Sequence, residues 1–510
     1  MIMATVPVGN GNILVERRWM EGNMIETGIQ LDEKLPLYEK VAGKISFLIE
    51  QGTLRPGDKV PSIRNLSKQM HVSINTVKEA YSLLEDRRLL EARPQSGYYV
   101  RARLPELPAE PVVDRPTINP AEVSLSKIYQ EVMMDYNDQT LLQLGIATPN
   151  IDLLPVEKLN RMLARETRRF ANQAVSYEFP PGNLRLRKQI AQRLLLSGCT
   201  LGPDQIVITS GCVEAVVLSL RTLCKPGDTV AIETPVYFNF LQMIEDLGLK
   251  ALEIPASPRG GISLEALGYA LDRNSGEVKA CIVLSNFNNP LGSRMSDEDK
   301  LRLVQMLENY QIPLIEDDIY GDLSYSDERP SVAKSFDKTG NVLLCSSFSK
   351  TVAPGYRVGW IAAGRYQKQI ERGKMLGSVA CASPPQLAIA EFLANGGYEH
   401  HLRSIRRAYA KQSAQMGDAI GRAFPAGTRV SRPQGGFVLW VEMPEKVDSI
   451  LLYKKAKGYG IAIAPGSIFS VDGKYRNCIR LNAATWSPAV EVAIERLGQL
   501  ADEQLNPTAR

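Results

Sequence analysis

The spacing of apolar residues divides the chain into segments of different kinds. Over residues 1–35 the apolar positions follow neither a helical nor an alternating period, and Gly, Asn and Met are frequent, which predicts a disordered arm. From residue 36 the pattern becomes regular. Leu37, Val41, Ile45, Leu48 and Ile49 recur at helical spacing up to a stop at Gly52. A second helix is expected from Ser62 in "PSIRNLSKQM", and a third from Ser73 with Val77, Ala80, Tyr81 and Leu84 as its buried stripe. "LLEARPQSGYYV" then reads as two short strands around Pro-Gln-Ser-Gly. Three helices followed by a hairpin over 36–103 predict an α+β winged helix-turn-helix domain.

Pro105, Pro108, Pro111, Pro116 and Pro120 stand too close together for helix or sheet, so 104–125 reads as an extended, semi-rigid linker. Beyond it, apolar runs alternate with amphipathic segments: "QIVITSG", "TVAIETPVY", "KACIVLSNFNNP", "IPLIEDDIY" and "NVLLCSSFSK". That alternation predicts a large α/β domain with a mostly parallel sheet over 126–394. From residue 395 a long basic amphipathic helix, the strands "GGFVLWVEM" and "NCIRLNAA" and a final helix predict a smaller C-terminal α+β subdomain over 395–510.

Composition agrees with a multidomain globular protein: 510 residues, 44% hydrophobic and 23% charged, with no apolar run long enough to span a bilayer. The N-terminal residues lack a charged start, an apolar core and a cleavage site, so no secretory signal is expected; Met20-Glu-Gly-Asn-Met24 leaves a start at Met24 open. Seven cysteines, at positions 199, 212, 224, 281, 345, 381 and 478, form no Cys-x-x-Cys pair, and there are only three histidines. This argues against a zinc site or a disulfide framework and favours a reducing, cytoplasmic setting. The net charge of +4 is unevenly placed. Residues 36–103 carry 12 Lys and Arg against 7 Asp and Glu, whereas 104–510 carry 45 against 44. The excess points to a polyanion partner for the small block alone.

In a helix-turn-helix the first residues of the second motif helix face base edges, and neighbouring groups hold phosphates. Ile74, Asn75, Thr76 and Lys78 occupy those positions here, all off the buried stripe. Asn suits adenine, and Lys suits phosphate or guanine. Arg64 and the wing tip Gln95-Ser96-Gly97 are the expected backbone contacts. The alternative is a small helical domain that mediates protein contacts. Residues 36–100 closely resemble the GntR-family winged-helix domain, through Pro-Gly-Asp, Pro-Ser-x-Arg, the Val-Ser-x-x-Thr-Val run containing Ser73, and Gly-Tyr-x-Val. Where that family often has arginine after the serine, this chain has Ile74, a side chain suited to a thymine methyl rather than to guanine.

The larger region carries a second kind of chemistry. Its unusual residues fall at or just beyond the carboxyl ends of five expected strands, where open α/β sheets gather ligands. "TSGCVEA" offers the free N–H groups of a helix start, from Gly211 through Cys212 to Val213, which suit phosphate. "PVYFN" presents Tyr237, "NNPLG" Asn289, "EDDIYGD" Asp317 and Tyr320, and "SSFSKTVAPGYR" Ser347, Lys350 and Arg357. Together they suit a phosphorylated aromatic aldehyde with a basic ring nitrogen, pyridoxal 5′-phosphate (PLP). Singly each has a plainer reading: Lys350 as a snorkelling surface lysine, Asp317 as a helix cap, Asn289 as a turn residue, Tyr237 as core.

Residues 140–505 resemble the fold-type I aspartate aminotransferases. The resemblance implies Lys350 as the Schiff-base lysine, Asp317 on the ring nitrogen, Asn289 and Tyr320 on the phenolic oxygen, and Tyr237 stacked on the ring. It also implies Ser347 and Arg357 on the phosphate, Tyr177 lent to the phosphate of a neighbouring subunit, and Arg480 on a substrate α-carboxylate. Val213 stands where that family often has Ser or Thr, so the helix start would hold phosphate through backbone N–H groups. A winged helix joined to such a domain by a Pro-rich segment resembles the MocR regulators, a GntR subfamily. This implies a head-to-tail homodimer that binds double-stranded DNA and an amine or amino-acid effector. Three functions compete on these grounds: a PLP-dependent transcription regulator, a working aminotransferase with a tethered DNA-binding domain, and a scaffold that does not use the cofactor.

Overall fold

The computed structural model describes the chain except residues 1, 9–10, 21–22, 31–35, 51–52, 55–56, 87–88, 94–95, 101–107, 113–118, 125–126, 275 and 507–510; within residues 2–30 and at Glu50 it describes the backbone alone. Gly52, Gln95, Pro105 and Pro116 therefore lie outside the described residues. The chain divides into two compact units, Met1–Pro105 and Glu106–Arg510.

The expected disordered arm is corrected at its first point of contact with the structure. Strands β1 (Ile2–Val8), β2 (Gly11–Met20) and β3 (Asn23–Gln30) pair antiparallel in that order. The local sequence permits it, because the Ile, Val, Thr and Trp residues of these segments favour extended backbone.

Helices α1 (Leu37–Glu50), α2 (Ile63–Met70) and α3 (Ile74–Asp86) follow, then a hairpin of β4 (Leu90–Arg93) and β5 (Gly97–Val100). Their core is small: Val41 and Ile45 of α1, Leu66 of α2, Val77, Tyr81 and Leu84 of α3, Leu90 of β4 and Val100 of β5 are buried together. Both motif helices are capped by the serines that the pattern marked. Ser62 Oγ accepts from the Asn65 N–H at 3.3 Å, and Ser73 Oγ accepts from the Thr76 N–H at 3.0 Å. His71, in the left-handed region at φ 51°, ends α2 and turns the chain toward α3. Tyr81 ties the wing to the helices. Its hydroxyl donates to the Pro61 carbonyl at 2.6 Å, and its ring meets Tyr98 of β5 edge-on at 4.9 Å.

The second unit is built on one sheet. Its strands are β6 (Ala121–Glu122), β8 (Val207–Thr209), β9 (Thr229–Thr234), β10 (Lys250–Ser257), β11 (Gly261–Ile262), β12 (Val278–Val283), β13 (Leu314–Asp317), β14 (Val342–Ser347) and β15 (Gly359–Ala362). They lie in the order β11-β10-β9-β12-β13-β14-β15-β8, with β6 against β10. The five strands from β10 to β14 in that order are mutually parallel; β15 runs antiparallel to β14, and β8, antiparallel in turn to β15, returns to the direction of the five. Every residue of β9, β13 and β14 is buried, as a parallel sheet covered on both faces requires. Four strands of this sheet escaped the sequence reading: β6 and β11 have two residues each, Glu253 and Pro255 interrupt the apolar run of β10, and the short β15 lies between loop residues without a pattern of its own.

The smaller subdomain holds β16 (Arg429–Val430), β17 (Val438–Glu442), β19 (Ala464–Pro465) and β20 (Cys478–Asn482) in the antiparallel order β16-β17-β20-β19. Helices Gly397–Ala423, Ser449–Gly458 and Pro488–Leu505 pack with it. Its core also takes Tyr129 and Val132 of α4 (Lys127–Asp135) and Leu144, and β7 (Leu142–Gln143) pairs with β18 (Ile461–Ala462). Residues 127–144, drawn with the large domain by the sequence pattern, thus pack in the small one. A nine-residue helix has too few turns for its pattern to say which layer it joins.

Part of the Pro-rich segment is fastened to this unit. The Ala109 carbonyl accepts from the Val430 N–H at 2.9 Å, the Val112 N–H donates to Glu442 at 2.9 Å, and β6 adds to the sheet edge. Proline favours such extended edge positions, where missing N–H groups leave no gap in a ladder.

Candidate functional site

On the first unit the start of α3 is open to solvent. Ile74, Asn75 and Lys78 are exposed, Ile74 to 49%. Thr76 is half-buried, and its hydroxyl lies 2.8 Å from that of Ser73, so both serve the helix cap. Arg64 is exposed in the first turn of α2. Gly97 opens β5 at φ +105°, and a Cβ there would sit 3.4 Å from Lys59 Cε. Two wing cations went unnoticed in the sequence. Lys59 and Arg93 lie 5.8 and 4.3 Å from the ring centre of Tyr99, whose hydroxyl is 2.6 Å from Ser96 Oγ. Strand register brings them together, opposing Arg93 to Gly97 across the hairpin and Lys59 to Tyr99 across a separation in sequence that no local pattern reveals.

In the second unit a cavity of about 240 Å³ opens at the carboxyl ends of the parallel strands. Its lining brings together Lys350, Asp317, Tyr320, Asn289, Tyr237, Ser347, Arg357, Cys212 and Val213. They share one placement: each lies at the carboxyl end of a buried strand or in the loop or helix start that follows it. Asp317 is the last residue of β13 and Ser347 the last of β14. Gly211 caps the helix Cys212–Leu223 at φ +91°, and a Cβ there would run into the Arg357 guanidinium. That close approach is what the glycine permits. Arg357, itself at φ 51°, donates to the Ser210 carbonyl at 3.1 Å and to Ser349 Oγ at 3.3 Å. Ser349, 9% exposed and lining the cavity, was missed because its neighbours Ser346 and Ser347 look the same in sequence.

Electrostatics in the cavity follow from burial. The Lys350 amine is pushed down to about 8, first by desolvation and then by the nearby cations Arg480 and Arg357, with Asp317 opposing. It donates to the Ala147 carbonyl at 2.5 Å. Burial pushes the Asp317 carboxyl up to about 7, against the Ile319 N–H at 3.0 Å, the Cys212 thiol and Lys350. The Tyr237 and Tyr320 phenols are raised by burial and stay protonated donors. The site thus offers an amine that gives up its proton far more readily than a free lysine, beside a carboxyl that ionises near neutrality.

Arg480 stands behind this group, fully buried. It donates to Asn289 Oδ1 at 3.0 Å and to the Gly145 carbonyl, its guanidinium carbon lies 5.2 Å from the Phe469 ring centre and 5.6 Å from that of Phe238, and its Nε has no partner. Tyr177 is not part of the assembled group: it is 74% exposed and stacks on Phe179 at 5.6 Å. Tyr136, Gly145 and Ala147 approach the site from the segment after α4, and nothing in their local sequence marks them. Among the described residues no cluster of His, Cys, Asp and Glu could hold a metal ion, all seven cysteines are unpaired, and no helix is long and apolar enough to cross a membrane.

Residues 37–100 match the gntR family of bacterial regulatory proteins, and residues 150–497 match the aminotransferases of class I and II. The chain is 39% identical over 465 residues to the HTH-type transcriptional regulator YjiR of Escherichia coli, covering 91% of this chain and 98% of that one. Among solved structures it is similar to the kynurenine aminotransferase of Pyrococcus horikoshii, in a complex with PMP, at 27% identity and TM-score 0.70, over 76% of this chain and 96% of that one. It is also similar to the α-aminoadipate aminotransferase LysN of Thermus thermophilus, complexed with N-(5′-phosphopyridoxyl)-L-leucine, at 26% identity and TM-score 0.69, over 76% of this chain and 97% of that one.

Proposed function

Because the chain belongs to the MocR branch of the GntR-family regulators, in which a winged helix is fused to an aminotransferase-like domain, we propose that it is a transcription regulator whose DNA affinity is set by PLP and by an amine or amino acid that reacts with it. The supporting observation is the convergence in one cavity of an amine poised near 8, a buried carboxyl and two protonated phenols.

The donor set fits PLP. The helix start at Gly211, Cys212 and Val213, with Ser347, Ser349 and Arg357 beside it, would hold the phosphate; the Gly211 position leaves no room for a side chain against Arg357. Asp317 would face the ring nitrogen, Asn289 and Tyr320 the phenolic oxygen, Tyr237 the ring face, and Lys350 the aldehyde. When bound, the cofactor supplies an electron sink for amines. The residues of the chain hold its charge, exclude water and keep Lys350 able to give up its proton. The exposed Tyr177 suits contact with the phosphate of a second copy, which supports a homodimer with shared sites.

On the DNA side, Ile74, Asn75 and Lys78 of α3 would meet base edges, and Arg64, Gly97, Lys59 and Arg93 would meet phosphates. An effector changes DNA affinity only by binding two states of the protein unequally. Arg480, buried with an unpaired Nε, favours a carboxylate-bearing effector and equally supports a second reading, transamination of amino acids.

One experiment tests the core of this. Full-length protein incubated with PLP should show a visible absorption band, and borohydride should fix a pyridoxyl group on residue 350. Lys350→Ala should lose both. A wild-type protein that stays colourless and unlabelled would remove the proposal.

A further inference from the structure

The Gly145 carbonyl receives two donors, the Arg480 guanidinium and the Tyr136 hydroxyl, the latter at 3.1 Å. Tyr136 is the residue immediately after α4, which in turn follows β6 and the Pro-rich segment. Its ring packs 6.4 Å from that of Phe238, the neighbour of the proposed ring-stacking Tyr237, and Phe238 also lies under Arg480. Arg480 is close enough to act on the Tyr136 phenol directly, opposing the effect of its burial. The same end of α4 is anchored to a second element: Asp135, its last residue, accepts from the Tyr453 hydroxyl and from Lys457 at 2.6 Å, both on the helix Ser449–Gly458.

We propose that Tyr136 is a second member of the effector's carboxylate clamp, and that through it the presence of a carboxylate is reported to α4. This rests on the assignment of Arg480 to an effector carboxylate. Arg480 now spends two donors on Asn289 and Gly145 while its buried Nε has none to give to. A carboxylate is a bidentate acceptor that suits such a fork. Drawing the guanidinium toward it loosens the shared Gly145 carbonyl. The Tyr136 hydroxyl, a donor with one proton, then turns from Gly145 to the second carboxylate oxygen. That exchange moves the hydrogen bond made by the residue next to α4, whereas an amine without a carboxylate leaves it alone.

L-alanine and ethylamine differ in the carboxylate and separate these effects. Tyr136→Phe keeps the ring and removes only the hydroxyl. In full-length, PLP-loaded protein, titrations followed by cofactor absorbance should show Tyr136→Phe weakening L-alanine about tenfold, the value of one hydrogen bond to a charged group. Ethylamine affinity and PLP retention should be unchanged. Hydrogen exchange in a peptide spanning 127–136 should respond to L-alanine in the wild type and not in the variant. An equal effect on both amines, or no effect on either, overturns the role of Tyr136. A wild type that binds L-alanine no better than ethylamine overturns instead the assignment of Arg480, and this proposal with it.

Discussion

The winged-helix region and the cavity of the larger unit make opposite use of burial. In the first, the core is a handful of apolar side chains, and the residues proposed to meet DNA stand on its outside: Arg64, Asn75 and Lys78 are exposed, and the wing cations gather around Tyr99. In the second, Asp317 and Arg480 are sealed within the fold, Lys350 is held at the bottom of the cavity, and protonation is shifted by desolvation. The difference follows from the proposed partners. A polyanion brings a dense line of charge and condensed counterions, so solvated cations placed at the right spacing suffice. A small aromatic phosphate has few atoms, and only groups already stripped of water bind it tightly and alter its reactivity.

Four further measurements sharpen or break that contrast. The largest effect is expected at Arg357. Its charge-assisted bonds to a phosphate are worth about 2–3 kcal/mol, so Arg357→Met should raise the Kd for PLP by about a hundredfold while leaving basal DNA binding intact. An Arg357→Met protein that retains cofactor through gel filtration would contradict the proposed phosphate cup.

Next comes pH. With the Lys350 amine at about 8, the neutral and reactive form grows as pH rises, so PLP uptake by the apoprotein should accelerate with a midpoint near 8 and level off above it. Uptake that is flat from pH 6 to 9 would mean the amine is not the group being titrated.

On the DNA side the effects are smaller and differ in kind. Asn75→Ala should cost about 1–3 kcal/mol at one base pair and relax preference there. Arg64→Ala should weaken all sequences alike and lower the slope of log affinity against log salt by about 1. Binding-site selection and salt titration separate the two. If both variants lose affinity without any change in preference, the division between base and phosphate contacts is misplaced.

Particular residues show where the chain could be read directly. The serines at 62 and 73 marked helix starts because a short hydroxyl is the local answer to unpaired N–H groups, and both cap as expected. The strand-end residues from Gly211 to Arg357 were visible because they cluster at the ends of apolar runs. Ser349, Lys59 and Arg93 were not, since their partners lie across a loop or a strand. Residues 2–30 form paired strands although their apolar positions follow no single period, because the pairing is made between segments rather than within one.

The chain's own order of residues determined which elements exist and which polar groups each strand delivers to the edge of the sheet, because capping, turn chemistry and the alternation of strand and helix are settled among near neighbours. Tertiary structure alone decided that α4 joins the smaller subdomain, that Tyr136 and Arg480 share the carbonyl of Gly145, and that Tyr177 is left facing outward. Those outcomes depend on which surfaces meet in space, and residues 335 positions apart have no local signal through which to announce that they will share a bond.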